Sequence, residues 1–299
     1  MTKFVIKIVL FFIVLLVADG IIGNAFDVLS VYSKDETVSH HRYIVNDISE
    51  DVLIFGSSRA LHHYNPRIIS DSLGLSCYNC GHDGNGIILF NGIWKEIKQI
   101  HIPKMIIYDV FPLYDFAMGE DNHRYLGWMK MDYHNHRHSI EGIFDKIDKV
   151  EKYKMQSSLY RWNSDFLETI IGLFKHGQEF QEGGFQPLKG GLDKLKIRNN
   201  IKVPVLVIDS IKMSMMEEFL NETKGLKVVF VASPSWYGIL EKNFDPIKEI
   251  CQKHNILFLN YAMDKKYVGN SEFFKDGSHL NELGANEFTR DLVKVLKCN

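Results

Sequence analysis

A serine near the N-terminus and an acid–histidine pair near the C-terminus are the residues of this chain best suited to chemistry. Ser58 lies in the run Phe-Gly-Ser-Ser-Arg, and the pair lies in the run Asp276-Gly-Ser-His279. A serine hydroxyl is a weak nucleophile at neutral pH unless a histidine takes its proton and a carboxylate holds that histidine in the correct tautomer. These residue types therefore predict nucleophilic catalysis, with Ser58 as nucleophile, His279 as base and Asp276 as the group that orients the base.

Each half of this pattern also has a structural interpretation. Serine is common at strand-to-helix turns as a helix cap, and Ser58 taken alone would indicate no more than that. Asp276 can in the same way cap a C-terminal helix, which the sequence predicts over 282–296, with His279 incidental beside it. The presence of both halves in one chain favours the catalytic interpretation.

Short apolar runs that alternate with helical patterns position these residues. Asn65-Pro66 predicts a helix start between the first two runs, because asparagine caps helices and proline suits their first position. Strand and helix in alternation indicate a parallel sheet with helices on both faces, a three-layer α/β sandwich whose sites lie at the carboxyl ends of its strands. The predicted strands are 51–55, 75–79, 105–110, 227–233 and 256–260.

The alternation stops after the third predicted strand. Apolar residues recur there at helical spacing, first over 140–150 and then over 159–170. We therefore predict a helical insertion at about 116–205, with a glycine-rich stretch over 183–191 near its end. The remainder of 51–299 is predicted to form the catalytic domain.

The N-terminus carries a membrane signal. Lys3 and Lys7 precede an apolar run over 8–18, and positive residues before such a run favour a cytoplasmic N-terminus. We predict an uncleaved transmembrane helix over 1–25, a linker over 26–50 and an extracytoplasmic catalytic domain. A signal peptide cleaved near Gly23-Asn-Ala25 is the alternative.

Composition narrows the classes of partner and cofactor. The 299 residues are 45% hydrophobic and 24% charged, with a formal net charge of −2, which is typical of a folded globular protein and gives no basic excess for binding nucleic acid. Cys77 and Cys80, two of four cysteines, are predicted to be core thiols, with a redox pair as the alternative. No metal site or cofactor is predicted, and the alternating His134, His136 and His138 are interpreted as a polar surface.

The two motifs together resemble the SGNH (GDSL-like) serine hydrolases, a superfamily of esterases and acyltransferases. The family's first motif ends in the nucleophilic serine, which falls on Ser58, while Ser57 stands where the family usually has aspartate. Its closing Asp-x-x-His falls on Asp276 and His279. The resemblance covers the sheet framework, about 50–110 and 225–299, and implies a flavodoxin-like fold.

The resemblance also implies an oxyanion hole. In the family a glycine after the second strand contributes to it, and this role falls on Gly84, with Gly81 as the alternative, beside the backbone amide of Ser58. One family element is missing: an asparagine that donates to the oxyanion is expected after the third strand, where this chain has Tyr108-Asp109. Loss of such a donor costs about 10²-fold in rate or more. Arg59 and Asp109, which adjoin these motifs, are candidate substrate contacts.

The resemblance implies a membrane-tethered serine esterase. By analogy with the family, it removes a small acyl group, with acetyl as the first choice, from an envelope or extracellular carbohydrate. The expected partners are this acylated carbohydrate, or another ester substrate, and the membrane. Two alternatives stay open: an acyltransferase of envelope polysaccharide, and a catalytically silent binding or assembly protein with the same fold, which the missing asparagine favours.

Overall fold

The chain forms two compact units. The computed structural model describes residues 2–119, 121–163, 165–174, 183–192, 205–237 and 239–298. One unit comprises the described residues of Met1–Val45 and Asn122–Glu179, and the other comprises those of Asn46–Asp121 and Phe180–Asn299. All the residues predicted to be catalytic belong to the second unit.

A five-stranded parallel sheet forms the centre of the second unit, in the order β2-β1-β3-β4-β5. Every residue of β1 is buried, as expected of a parallel strand covered on both faces. Each of the five predicted apolar runs contains a strand, which confirms those predictions, although β1 continues one residue beyond the predicted end at 55. The strands are β1 Val52–Gly56, β2 Cys77–Asn79, β3 Met105–Asp109, β4 Lys227–Ala232 and β5 Leu257–Asn260.

The helices are numbered in chain order through both units. They are α1 Thr2–Tyr32, α2 Glu36–Asn46, α3 Ser58–His63, α4 Pro66–Leu73, α5 Ile87–Ile100, α6 Pro112–Asp115, α7 Gly127–Ile147, α8 Glu151–Lys154, α9 Ser158–Trp162, α10 Phe166–Phe174, α11 Ser210–Glu222, α12 Asp245–His254 and α13 Glu282–Cys298. Short 3₁₀ turns occur at Asn122–Leu126, Glu241–Phe244 and Ser271–Phe273.

Helices cover both faces of the sheet. On one face Val52 and Ile54 of β1 pack in a single cluster with Ile69 of α4 and Phe288 of α13. On the other face the Phe55 ring stacks at 5.7 Å on that of Phe90 in α5, and Phe219 of α11 lies beside it. Successive side chains of a strand point to opposite faces, so β1 contributes to both halves of the core. The predicted α/β class with a central parallel sheet is confirmed.

The first unit contains α1, which is long and apolar enough to span a membrane. The helix continues to Tyr32 and so passes the predicted end of the anchor at residue 25. Its acidic residues have partners that the sequence does not reveal: Asp19 accepts hydrogen bonds from Ser157 and from the N–H groups that begin α9, and Asp27 accepts one from the Trp162 indole. The predicted linker over 26–50 therefore contains the end of α1 and all of α2, which has buried residues.

The predicted insertion at 116–205 is helical through α7, α8, α9 and α10, whereas 175–182 and 193–204 lie outside the described residues. Its glycine-rich end belongs to the second unit. There Asn79 N–H donates to the Gly183 carbonyl at 2.8 Å, and Gln186 N–H donates to the Leu61 carbonyl at 3.1 Å. A Cβ on Gly184 would lie 2.3 Å from the Asn79 carbonyl oxygen, so glycine permits this close approach.

The turn that follows β1 depends on Gly56. Its φ is +141°, a conformation that L side chains rarely adopt. A Cβ there would lie 2.7 Å from the Asp109 carbonyl oxygen and 2.9 Å from the Ala60 Cβ. The turn can therefore pass close to β3 and begin α3 directly after Ser57.

We predict that Gly56→Ala lowers the free energy of unfolding by about 3 kcal/mol, since backbone strain and a clash with fixed backbone add together. Gly74→Ala is the matched control, because Gly74 also has a positive φ of 68° but open space around it. That variant should lose only about 1 kcal/mol. Denaturant unfolding of the full chain in detergent measures both, and equal losses would contradict the packing argument.

Candidate active site

The carboxyl end of the sheet holds three side chains in hydrogen-bonding order: Ser58, His279 and Asp276. His279 Nε2 is 2.8 Å from Ser58 Oγ. His279 Nδ1 is 3.0 Å from each carboxylate oxygen of Asp276. A neutral imidazole whose Nδ1–H is directed at a carboxylate presents the lone pair of Nε2 to the hydroxyl, which is the tautomer that a general base requires. The structure thus brings together the three residues predicted to be catalytic.

The helix-cap interpretation of Ser58 does not match the local geometry. Ser57 is the N-cap of α3, and its side chain accepts a hydrogen bond from the Arg59 N–H at 3.3 Å. Ser58 is the first residue of α3, and its hydroxyl lies against His279. The two adjacent serines therefore have different contacts: Ser57 caps α3, and the hydroxyl of Ser58 lies against His279.

Asp276 does not cap the C-terminal helix either. Its Oδ1 accepts hydrogen bonds from the N–H groups of Ser278 and His279 at 2.8 and 2.9 Å, within a turn that a bridge between Phe274 and Leu280 closes. The cap of α13 is Asn281, whose Oδ1 accepts from the Gly284 N–H at 2.9 Å. The turn and the helix thus have separate polar groups, and the Asp276 carboxylate is committed to His279.

The charge on Asp276 is stabilised at this position. Partial burial pushes the pKa of its carboxyl group upward. The hydrogen bond and charge of His279 and the N–H groups of Ser278 and His279 outweigh that effect and lower the pKa from 3.8 to about 2. Because the pKa is lowered on folding, the carboxylate stabilises the folded chain above about pH 4, and this contribution is lost as the pH falls toward 2.

The loop after β2 contains both glycines predicted for the oxyanion hole, Gly81 and Gly84. The Gly81 N–H donates to Asn79 Oδ1 at 3.0 Å, so this amide is already engaged. Gly84, which follows three residues later, has a φ of +66°. Gly84, with Gly81 as the alternative, stays the predicted second amide beside that of Ser58, whose N–H lies in the first helical turn, where N–H groups have no acceptor within the helix.

Arg59 and Asp109, the predicted candidates for substrate contact, are buried. Arg59 is 2% exposed and its guanidinium donates to the hydroxyl and carbonyl of Ser233. Asp109 is fully buried, and its Oδ1 accepts from the Tyr64 hydroxyl at 2.5 Å and from the Ser233 N–H at 3.0 Å. This placement disfavours direct substrate contact by either side chain, because their polar atoms face protein groups instead of solvent.

Burial also opposes ionisation of Asp109. Desolvation raises the pKa of its carboxyl group, while the charge of Arg59 and the hydrogen bonds from Tyr64 and Ser233 act in the opposite direction. Arg59 Nε lies 3.7 Å from Asp109 Oδ2. A buried acid and base so close together stabilise each other's charge only when hydrogen bonds satisfy their remaining polar atoms, and Ser233 supplies several of them.

Two histidines follow Ser58 on the same short helix, where the sequence favours partly exposed polar side chains, with substrate contact as the alternative, but the structure buries both. His63 is fully buried, and His62 is 7% exposed. The His62 ring lies edge-on to that of His279, with centroids 5.4 Å apart, and its Nε2 is 3.5 Å from the exposed carboxylate of Asp83. The signal available in the sequence was their position on a short helix that begins at the nucleophile, although their burial depends on α13 and the 274–280 turn.

The other groups singled out by sequence have structural explanations. Cys77 and Cys80 are free and buried, and burial raises the pKa of both thiols well above the ordinary value, which disfavours the reactive thiolate. His134, His136 and His138 lie in α7. The backbone is non-helical at His136, and the three side chains are exposed or half-buried, as expected of a polar surface.

One other cluster contains ligand types suited to a metal. In the first unit, His123, Asp148 and Glu151 bring their ligand atoms within 4.8 Å of one another. The Glu151 carboxylate, however, already accepts a hydrogen bond from Lys154 Nζ at 2.6 Å and from the Tyr160 hydroxyl at 2.9 Å. An ammonium group therefore occupies the place where a cation would neutralise this acid.

A cavity of about 880 Å³ lies at the end of the sheet opposite to the one that holds Ser58. Its walls include Leu226, Lys227 and Leu257 at the amino ends of β4 and β5. Ligands of open α/β sheets bind at the carboxyl ends of the strands. We therefore assign the candidate active site to the carboxyl ends of the strands, where Ser58 lies, and not to this cavity.

Comparison with known proteins adds no assignment. No protein-family model matches the sequence, and no curated protein matches it.

The separate roles of Asn281 and Asp276 predict separate effects. Asn281→Ala removes a helix cap and should lower the free energy of unfolding by about 1 kcal/mol, with little change in the reactivity of Ser58 in the folded protein. Asp276→Ala should leave α13 capped but lower that reactivity by at least about 10²-fold. Thermal unfolding and the rate of labelling by a serine-directed phosphonate distinguish them, and the reverse pattern would return Asp276 to a capping role.

Proposed function

We propose that this chain is a membrane-tethered serine esterase of the SGNH (GDSL-like) type. The observation that carries the proposal is the 2.8 Å contact between Ser58 Oγ and His279 Nε2, with Asp276 bound to the other ring nitrogen. An incidental contact between a surface serine and a histidine would not require a carboxylate on the other ring nitrogen. The ordered sequence of hydroxyl, imidazole and carboxylate is what activates a nucleophile.

In the proposed reaction Ser58 Oγ attacks the ester carbonyl while His279 Nε2 takes the hydroxyl proton. Asp276 holds the imidazole and stabilises the imidazolium that forms. The backbone amides of Ser58 and Gly84 donate to the oxyanion of the tetrahedral intermediate. His279 then returns the proton to the departing alcohol oxygen, and a water molecule activated by the same imidazole hydrolyses the acyl-enzyme to restore Ser58.

The fold is consistent with this assignment. The nucleophile follows the first strand, and the acid–base pair precedes the last helix of a parallel sheet with order β2-β1-β3-β4-β5. A flavodoxin-like SGNH fold has the same general plan. The end of β3 supplies no asparagine, and the carboxylate present there, Asp109, is buried. We therefore propose a two-amide oxyanion hole, which lowers the expected rate by about 10²-fold relative to a three-donor hole.

The proposed substrate is a small acyl ester, acetyl first, on an envelope or extracellular carbohydrate. This part follows the family analogy and the apolar helix α1, which is suited to hold the catalytic unit near a cell envelope. The same helix favours a second candidate function, transfer of the acyl group to an envelope polysaccharide. An acyl-enzyme on Ser58 serves both, because only the acceptor, water or a sugar hydroxyl, differs.

We predict that a fluorophosphonate probe labels the full-length protein in detergent at Ser58, because a hydroxyl activated by a base reacts where ordinary serines do not. Ser58→Ala should abolish labelling and hydrolysis of an aryl acetate. Ser57→Ala is the matched control: it removes the adjacent hydroxyl and the cap of α3, and it should retain labelling. Full-length protein is preferred because Asp19 and Asp27 of α1 hold α9 through hydrogen bonds.

Two results would contradict the proposal. Equal labelling of wild type and Ser58→Ala would remove the nucleophile assignment. Absence of both labelling and ester turnover in folded wild type, under conditions that label a control esterase, would favour the silent binding or assembly protein instead.

We also predict that the body of the protein faces outward. Lys3 and Lys7 precede the apolar part of α1, and positive residues stay in the cytoplasm. A reporter that is active only outside the cytoplasm, fused after Asn299, should be active, whereas a reporter active only in the cytoplasm should be silent at the same position. The opposite result from well-expressed fusions would contradict an envelope substrate.

A further inference from the structure

A direct hydrogen bond connects the helix of the nucleophile with the turn of the base. Helix α3 begins at Ser58 and ends at His63. His63 Nε2 accepts a hydrogen bond from the Leu280 N–H at 3.0 Å, and Leu280 directly follows His279. Ser58 and His279 must meet for proton transfer. Ser58 therefore lies in the same short helix as one partner of this hydrogen bond, and His279 is next in sequence to the other.

The contact defines which nitrogen of His63 carries the proton. Burial, together with the positive charge of Arg59 and with the neighbouring His279 and His62, holds the pKa of His63 well below its ordinary value, so the ring is neutral. Nε2 accepts from Leu280 and must be unprotonated. Nδ1 then carries the hydrogen and donates it to Ser233 Oγ, which lies 2.9 Å away.

Ser233 fixes the other side of the ring. Its hydroxyl lies directly after β4 and accepts hydrogen bonds from Arg59 Nε and Nη2 at 3.2 and 3.0 Å. Its N–H donates to Asp109 Oδ1. A chain of hydrogen bonds therefore runs from Arg59 through Ser233 and His63 to Leu280. Arg59 directly follows Ser58, and Leu280 directly follows His279. All four side chains in this connection are buried.

We propose that His63 is a positioning residue that sets the distance between Ser58 Oγ and His279 Nε2. This inference rests on the proposed function. His63 is not a catalytic residue, because both of its nitrogens are occupied by protein groups and its ring centroid lies 6.2 Å from that of His279. Its effect passes through the peptide group that joins His279 to Leu280.

The expected consequence is kinetic. Without an acceptor for the Leu280 N–H, the 276–280 turn can move away from α3. A displacement of about 1 Å between reacting groups costs on the order of 10²-fold in rate. His63 has no contact with solvent, so loss of this hydrogen bond should lower kcat and leave KM nearly unchanged.

Two substitutions separate the two hydrogen bonds. The amide of asparagine reaches about as far as Nδ1, so His63→Asn can keep the contact with Ser233 but not the one with Leu280. The longer glutamine can place its carbonyl oxygen near the position of Nε2, so His63→Gln can accept from Leu280. In full-length protein in detergent, we expect kcat for an aryl acetate to fall about 10²-fold in His63→Asn and by less than about 5-fold in His63→Gln.

A control variant separates positioning from general destabilisation. Thr223→Val removes a buried hydroxyl that donates to the Phe219 carbonyl at 3.0 Å in α11, away from the site. It should lower the melting temperature without changing kcat. In a His279→Ala background, His63→Asn should cause no further loss of residual turnover, because the group it positions is absent.

Amide hydrogen exchange gives a readout that does not require turnover. The peptide containing Leu280 should exchange faster in His63→Asn than in wild type and should be protected again in His63→Gln. The proposal is overturned if His63→Asn keeps wild-type kcat and exchange, if both substitutions lose rate equally, or if the losses multiply in the His279→Ala background. Failure of the proposed function looks different: Ser58-independent labelling or no turnover, whatever residue stands at 63.

Discussion

The parallel alignment of β1, β3 and β4 is the constraint on which the site depends. Gly56 pairs with Asp109, and Asp109 pairs with Val231, so the three strands end at nearly the same height. The residues that follow, Ser58 after β1 and Ser233 after β4, therefore meet around the end of β3. A shift of one residue in this register would turn the alternate side chains to the wrong face and separate the polar groups beneath the nucleophile.

A layer of buried polar side chains lies at the carboxyl ends of these strands. Arg59 and Asp109 are withdrawn from water, which is costly unless hydrogen bonds replace hydration. Ser233 meets much of that requirement, since its hydroxyl, carbonyl and N–H all have partners among these groups. The layer adjoins both Ser58 and His279, since Arg59 directly follows Ser58 and His63, which contacts Ser233, accepts a hydrogen bond from the residue after His279. The polar groups that the sequence suggested for substrate thus support the floor of the site.

The sequence predicts local features well and tertiary ones poorly. The five strands follow from apolar runs, and α4 begins at the predicted Asn65-Pro66, with Asn65 Oδ1 accepting from the Arg67 N–H. The types and order of Ser58, Asp276 and His279 single them out in the sequence, and the structure brings the three together. The burial of His63 was missed because it arises from Leu280 and Ser233, which lie far away in sequence. The helix predicted over 159–170 is divided into α9 and α10, and the predicted linker is largely helical. Asp19 and Asp27 of α1 have hydrogen-bond partners in and beside α9 that no local pattern reveals.

The segment that begins at Gly183 has a consequence for the sheet as a whole. Strand β2 lies at one edge of the sheet, and the exposed edge of a strand presents N–H and C=O groups that another chain can pair with. Here the Asn79 N–H is bonded to Gly183, and the backbone of Gly184 lies close against the Asn79 carbonyl. The carboxyl end of β2 is thereby closed to strand addition. Another chain could pair with this end of β2 only after the segment that begins at Gly183 had moved away.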